Sequence, residues 1–168
     1  MNTLYVIEPG KLELRDIEKP EPDKGRVLLR AGAVGFCGSD LTAFRGTSAM
    51  QYYPAIIGHE IGAKIEKVGE NVAADITAGM DVTVSPYQSC GACVPCRRGR
   101  PNACRENRTM GVRRDGAMTE YIVAPAADIY HSDRLSLKEL ALVEPLSVGF
   151  NAVERGRVRA GDKVATRN

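Results

Sequence analysis

The sequence predicts a mainly β fold with a few short helices near its C-terminal end. In the first 125 residues, short apolar runs alternate with glycine, proline and aspartate, which form turns. Apolar residues occupy every second position in 27–33 and in 61–65, the period of two that is typical of strands. Short strands separated by turns indicate a barrel or a sandwich. The predicted strands are TLYVIE, KLELRD, RVLLRAGAV, IGAKIEKVG, MDVTVSP and MTEYIVAP.

The pattern becomes helical after residue 135. Ser136 and Glu139 have the spacing of a capping box, which predicts that a helix begins here. Pro145 is suited to the first turn of a second helix, and Leu146 and Phe150 follow it at helical spacing, as does Val153. The final RAGDKVATRN then predicts the start of another strand, which nothing later in the chain covers. We therefore expect residues 161–168 to begin a second domain that the chain does not contain.

Length and composition fit one soluble domain. The 168 residues are 43% hydrophobic, enough for a buried core, and 23 Lys and Arg against 21 Asp and Glu give a net charge of +2. Such a small net charge does not attract the protein as a whole to nucleic acid or to anionic membranes. The first residues lack the layout of a signal peptide, and no apolar run is long enough to span a bilayer. We expect a cytoplasmic protein without a membrane partner.

Four of the five cysteines lie within fifteen residues, in CGACVPCRRGRPNAC. Their spacing is C-x2-C-x2-C-x7-C, and the two-residue spacers allow neighbouring thiolates to point at one centre. In a reducing compartment such clusters are more often metal ligands than disulfides. The sequence therefore predicts a structural zinc site in a lobe at about 87–110. Its ligands are Cys90, Cys93, Cys96 and Cys104.

The lobe and the residues after it are rich in arginine. Residues 97–114 contain seven arginines and one acid, Glu106. One interpretation is a stand-alone zinc module that binds nucleic acid or a protein partner through these arginines. A solvated surface is the alternative, and we favour it because no aromatic residue that could stack on bases lies between Cys90 and Cys104. Binding to nucleic acid is thus not expected.

The fifth cysteine suggests a second metal site. Cys37 lies in VGFCGSD, and His59, one of two histidines, lies in PAIIGHEIGA. A catalytic zinc has three protein ligands and one open position, so these two residues need a third ligand. Glu60 and Glu144 are both candidates at this point. The other histidine, His131, lies among turn residues and is expected to be exposed.

These motifs together resemble the zinc-containing medium-chain dehydrogenases, and most closely their polyol and sugar-acid members. The resemblance rests on GFCGSD, GHE, the four cysteines, DGAMTEYIVAP, LVEPLSVG and GDKVA, in this order. It implies that residues 1–160 form a GroES-like catalytic domain, a partly open β-barrel. It also implies that the Rossmann domain, which holds the cofactor in that family, is absent, since no G-x-G-x-x-G turn follows GDKVA.

The resemblance assigns metal ligands residue by residue. Cys37 and His59 correspond to ligands of the catalytic zinc, and the four clustered cysteines correspond to the structural zinc. Glu144 stands where many relatives have the third ligand. In sorbitol-type members, the glutamate after the histidine can instead bind zinc directly, which would be Glu60. The sequence does not separate these two roles.

The resemblance also implies a reaction. A zinc-bound alkoxide of a polyol or sugar acid would form as Ser39 carries the proton away, and hydride would pass to NAD or NADP. Asp40 would orient His59. Many relatives continue the proton relay through a histidine where this chain has Thr42. Because no cofactor-binding residues are present, NAD or NADP is expected only in a full-length relative, and the chain alone is expected to be inactive.

Overall fold

The computed structural model describes residues 1–165, which form two antiparallel sheets. The smaller sheet has the order β2-β1-β4, and the larger has the order β7-β3-β5-β6-β8. The predicted mainly β fold is confirmed, with open sheets rather than one closed barrel. All pairings between these strands are antiparallel, so residues 1–165 contain no parallel nucleotide-binding sheet. The strands are β1 (Asn2–Glu8), β2 (Lys11–Asp16), β3 (Arg26–Gly35), β4 (Ala55–Ile56), β5 (Glu60–Val68), β6 (Asp81–Val84), β7 (Tyr121–Pro125) and β8 (Ile129–His131).

The core lies against the larger sheet. Alternate residues of β3 and β5, including Val27, Leu29, Ile61 and Ile65, are almost fully buried, as their period of two predicts. Strands β3 and β5 pair along nearly their whole length, so the end of β3 lies beside the start of β5. This pairing brings together two segments that are far apart in the sequence.

Four helices complete the described fold. Helix α3 begins at the predicted capping box: Ser136 N–H donates to Glu139 Oε2 at 2.8 Å, and Glu139 N–H donates to Ser136 Oγ at 3.4 Å. Helix α4 begins two residues before Pro145, which lies in the first turn where its missing N–H breaks no helical hydrogen bond. The helices are α1 (Gly38–Arg45), α2 (Val94–Arg97), α3 (Leu137–Ala141) and α4 (Val143–Gly156).

Helix α3 packs on the larger sheet through a glycine. A Cβ added to Gly62 in β5 would lie 1.8 Å from the carbonyl oxygen of Leu137, which is a direct overlap with backbone. The same leucine side chain covers Gly32 in β3. The absence of side chains at these two positions lets the helix approach the sheet closely.

The C-terminal part of the chain differs from the prediction. Leu146, Phe150 and Val153 lie on a helix as expected, but all three are exposed. Residues 159–165 form a turn and an irregular segment rather than the predicted strand, because no described strand pairs with them, and residues 166–168 lie outside the described residues. None of the helices in residues 1–165 has both the length and the hydropathy needed to cross a bilayer.

Candidate metal centre and active site

The four clustered cysteines converge on one point. Their sulfur atoms all lie within 4.8 Å of one another, and three of the Sγ–Sγ separations are 3.4, 3.5 and 3.9 Å. Four sulfurs at 2.3 Å from a tetrahedral zinc would be about 3.8 Å apart. The geometry of the set therefore fits a structural zinc. Helix α2 and a short 3-10 turn at Pro101–Ala103 carry the bends that bring the last cysteine back to the others.

Backbone N–H groups favour the thiolate form of two of these cysteines, Cys90 and Cys93. Hydrogen bonds from the backbone around Cys96 and Arg105 lower the pKa of Cys93 to about 6. The backbone N–H of Cys93 in turn lies 3.3 Å from Cys90 Sγ, and such bonds lower the pKa of Cys90. Desolvation raises the pKa of Cys96 to about 11. At neutral pH the set thus already carries thiolate, the form that binds zinc, and loading the metal would release the remaining protons.

A second group of possible ligands forms where β3 ends and β5 begins. Cys37 is the N-cap of α1, two residues after β3, and His59 directly precedes β5. Gly35 and Glu60 are paired across the two strands, which brings the three segments together. Donor atoms of Cys37, His59 and Glu60 lie within 4.8 Å of one another, and His59 and Glu60 are each only 7% exposed. A thiolate, an imidazole and a carboxylate are suitable zinc ligands.

Asp40 connects the segments that carry these ligands. It is 1% exposed, and its two carboxylate oxygens accept hydrogen bonds from the backbone N–H of Cys37 and of Gly58, both at 2.9 Å. Its Oδ1 is 3.9 Å from Nδ1 of His59, beyond hydrogen-bond distance. Asp40 therefore fixes the two segments through their backbones, and the orienting of His59 that the resemblance implies for it stays a prediction.

Two buried polar atoms beside this group have no hydrogen-bond partner among residues 1–165. They are Oγ of Ser39 and Nδ1 of His59. Buried polar atoms normally find partners, so such atoms at one place indicate that a ligand or water completes the site. The hydroxyl of Thr42, where many relatives have a histidine, donates to the carbonyl oxygen of Ser39 at 2.8 Å. It thus supports the first turn of α1 rather than extending a relay.

Glu144 lies apart from the three-residue group. It is 7% exposed at the start of α4, and its Oε1 accepts a hydrogen bond of 2.6 Å from the hydroxyl of Tyr87. Desolvation, followed by this hydrogen bond, raises the pKa of Tyr87 to about 12, so the tyrosine stays a proton donor. Glu144 does not join Cys37, His59 and Glu60 within the 4.8 Å separation that these share. The geometry thus favours Glu60 over Glu144 as the third donor.

The chain is similar to proteins of one family over almost its whole length. Residues 23–134 match the family model of the alcohol dehydrogenase GroES-like domain. The chain belongs to this family. It is 35% identical over 164 residues to L-galactonate-5-dehydrogenase of Escherichia coli K12, covering 98% of this chain and 48% of that protein. Sorbitol dehydrogenase of Bacillus subtilis is 33% identical over 170 residues, with the same two coverages.

A solved structure agrees with this assignment. The alcohol dehydrogenase RspB from E. coli CFT073, crystallised with NADH, superposes with a TM-score of 0.89 and 33% identity, over 97% of this chain and 48% of that one. The chain thus spans about half the length of the relatives it matches. The resemblance to zinc-containing medium-chain dehydrogenases is confirmed, and this chain carries their GroES-like domain.

Two residues of this GroES-like site were missed in the sequence. Tyr87 lies in a run of turn residues, VSPYQSC, where nothing distinguishes it from a surface tyrosine. In the sequence, Gly35 appears only as a residue at the end of a predicted strand. In the structure, a Cβ added to it would lie 2.0 Å from Oε2 of Glu60. The space for the Glu60 carboxylate is therefore created by a glycine on the neighbouring strand. The pairing of Gly35 with Glu60 becomes visible only once the register of β3 and β5 is known.

Gly35→Ala is expected to displace Glu60 and weaken metal binding at Cys37 and His59. The added methyl overlaps the Glu60 side chain, so we expect a loss of about 1–3 kcal/mol in stability together with a lower metal affinity. Competition with a chelator measures that affinity. Gly38→Ala is the matched control, because its Cβ would meet nothing within 4 Å. Equal affinities in the two variants would contradict this role of Gly35.

The arginines after the cysteines are partly structural. Arg97 donates to the carbonyl oxygen of Ala92 at 2.5 Å, and Arg114 donates to that of Arg108 at 3.0 Å. Arg113 lies 3.5 Å from Sδ of Met50. The contacts of Arg97 and Arg114 therefore stabilise the loop itself, which supports a structural role for part of this arginine-rich segment.

Proposed function

We propose that this chain is the catalytic, zinc-binding half of an NAD(P)-dependent dehydrogenase that oxidises a secondary alcohol of a polyol or sugar acid. The observation that supports it most is the buried group of Cys37, His59 and Glu60 at the junction of β3 and β5. Three protein ligands are the number found in catalytic zinc sites, with a further position left for substrate or water. Relatives named for L-galactonate and for sorbitol indicate the substrate class.

In this proposal Cys37, His59 and Glu60 hold the catalytic zinc. When bound, zinc supplies a Lewis acid that stabilises negative charge on a substrate oxygen. Glu144 is held outside this set by its hydrogen bond from Tyr87. Its carboxylate is nevertheless buried, and in this proposal it acts on the site through a water. Cys90, Cys93, Cys96 and Cys104 hold the structural zinc.

Ser39 accepts the proton of the substrate hydroxyl in this proposal. Its Oγ is buried and has no partner among the described residues, so it is free to accept one hydrogen bond and donate another. Thr42 does not continue the path, because its hydroxyl donates to the Ser39 carbonyl. The proton must therefore leave through water or through hydroxyls of the cofactor.

Cobalt substitution tests the two-site proposal. Co(II) can occupy zinc sites and absorbs visible light. The intensity of its thiolate-to-cobalt charge-transfer bands increases with the number of sulfur ligands. The spectrum of the wild-type protein is expected to contain bands from two kinds of Co(II) site, one with four thiolate ligands and one with a single thiolate ligand. Cys37→Ser should remove only the second, and Glu60→Gln should shift its bands while Glu144→Gln leaves them in place. A spectrum unchanged by Cys37→Ser would overturn the proposal.

A further inference from the structure

A large open cavity in the GroES-like domain is lined by opposite charges and a thioether. Its volume is about 600 Å³, within the range of small-molecule sites. One wall comes from the segment that follows α1, and the other comes from the segment that follows Cys104, the last of the four clustered cysteines. The lining residues are Ala49, Met50, Tyr52, Glu106, Asn107, Arg108 and Arg113.

Hydrogen bonds connect this cavity to the segment that carries His59. The hydroxyl of Tyr52 donates to Oδ1 of Asp115 at 3.0 Å, and the same oxygen accepts the backbone N–H of Ile56 at 3.3 Å. Residue 56 ends β4, three positions before His59. Gly116 packs directly on Ile57, leaving no space for a Cβ. Both walls of the cavity are therefore anchored to the chain that supplies a metal ligand.

The charge of the lining is positive. Arg108 and Arg113 contribute two guanidinium groups against the single carboxylate of Glu106. Within residues 1–165 none of these three forms an ion pair at 4.0 Å or less. The only side-chain contact of hydrogen-bond type for Arg113 in the same range is with Sδ of Met50 at 3.5 Å, a weak acceptor. Guanidinium donors thus face the cavity without a protein carboxylate to satisfy them.

We propose that this cavity binds the carboxylate of a sugar acid through Arg108 and Arg113. The inference rests on the proposed function and narrows its substrate from polyol or sugar acid to sugar acid. A guanidinium can bind a carboxylate with two parallel hydrogen bonds, which fixes the orientation of the ligand as well as its charge. A neutral polyol has no group that replaces this contact. Asn107 and Tyr52 supply polar side chains for hydroxyl groups along the same walls.

A matched pair of ligands tests the proposal on the zinc-loaded 168-residue chain. Gluconate and sorbitol differ only in a carboxylate against a hydroxymethyl group. In an NMR titration of the labelled chain, gluconate is expected to shift the side-chain Nε–H signals of Arg108 and Arg113 and to bind about tenfold more tightly than sorbitol. Arg113→Gln and Arg108→Gln should each remove most of this difference.

Two further variants distinguish a specific carboxylate site from non-specific attraction of the anion to the positively charged protein. Glu106→Gln removes the like charge and should strengthen gluconate binding, whereas Arg155→Gln on exposed α4 should leave it unchanged. Equal binding of gluconate and sorbitol, or equal losses in Arg155→Gln and Arg113→Gln, would overturn the carboxylate site. Neither result would contradict the proposed function. That proposal is contradicted by a different result, the absence of cobalt binding at Cys37.

Discussion

Cys93→Ala is expected to unfold or aggregate the protein. Between residues 87 and 109, Cys104 alone is buried, so this lobe has almost no hydrophobic core. We expect its order to depend on a metal held by the four converging thiolates. Structural zinc sites contribute about 10 kcal/mol or more of folding free energy, which is as large as the whole stability of an ordinary domain. Removing one ligand therefore removes the main force that orders the lobe.

Limited proteolysis and thermal denaturation measure this effect. Wild type should resist cleavage within 87–110, and Cys93→Ala should be cut there rapidly and melt at a lower temperature. Cys37→Ala is the control, since it also removes one cysteine and one proposed ligand but leaves the lobe complete. If both variants resist protease as well as wild type does, the lobe is ordered by its loops alone and the structural metal is not needed.

Asp40→Ala is expected to cost about 3 kcal/mol and to disrupt the Cys37 site. The substitution leaves the backbone N–H groups of Cys37 and Gly58 without their acceptor, and each unsatisfied buried donor costs about 1–3 kcal/mol. For a chain of this size that corresponds to a fall in Tm of about 6–12 °C. Because Asp40 joins the segments that carry both ligands, metal affinity should fall together with stability.

A graded series of variants shows whether the lost hydrogen bonds of Asp40 cause the loss of stability and of metal affinity. Asp40→Asn keeps the volume and one accepting oxygen, so its loss should lie between those of wild type and alanine. Asp133→Ala, on the exposed turn before α3, should change the Tm by less than a degree or two. A metal affinity that stays constant while stability falls would show that Asp40 supports the fold without shaping the site.

Much of this architecture could be predicted because the chemistry is local in the sequence. The cysteine spacing places four sulfurs around one centre, and the capping box fixes the start of α3. The alternation in β3 and β5 identifies their buried faces without any knowledge of the partner strand. In each case the signal and the structure it specifies lie within a few residues of each other.

What could not be predicted depends on contacts between distant segments. The preference for Glu60 over Glu144 in the proposed site rests on the register of β3 and β5, which pairs Gly35 with Glu60, and on the hydrogen bond that Tyr87 donates to Glu144. The two-residue strand β4 is too short for any periodicity. Helix α1 was missed because GSDLTAFR has no apolar stripe, and its start depends on Asp40 accepting the backbone N–H of Cys37.

The number of zinc ions bound per chain tests the central claim most directly. Native mass spectrometry of the zinc-loaded protein is expected to show two ions in wild type, and one in Cys37→Ser with an otherwise native spectrum of charge states. A single ion in wild type, or two ions retained in Cys37→Ser, would contradict the claim that Cys37, His59 and Glu60 form a catalytic metal site.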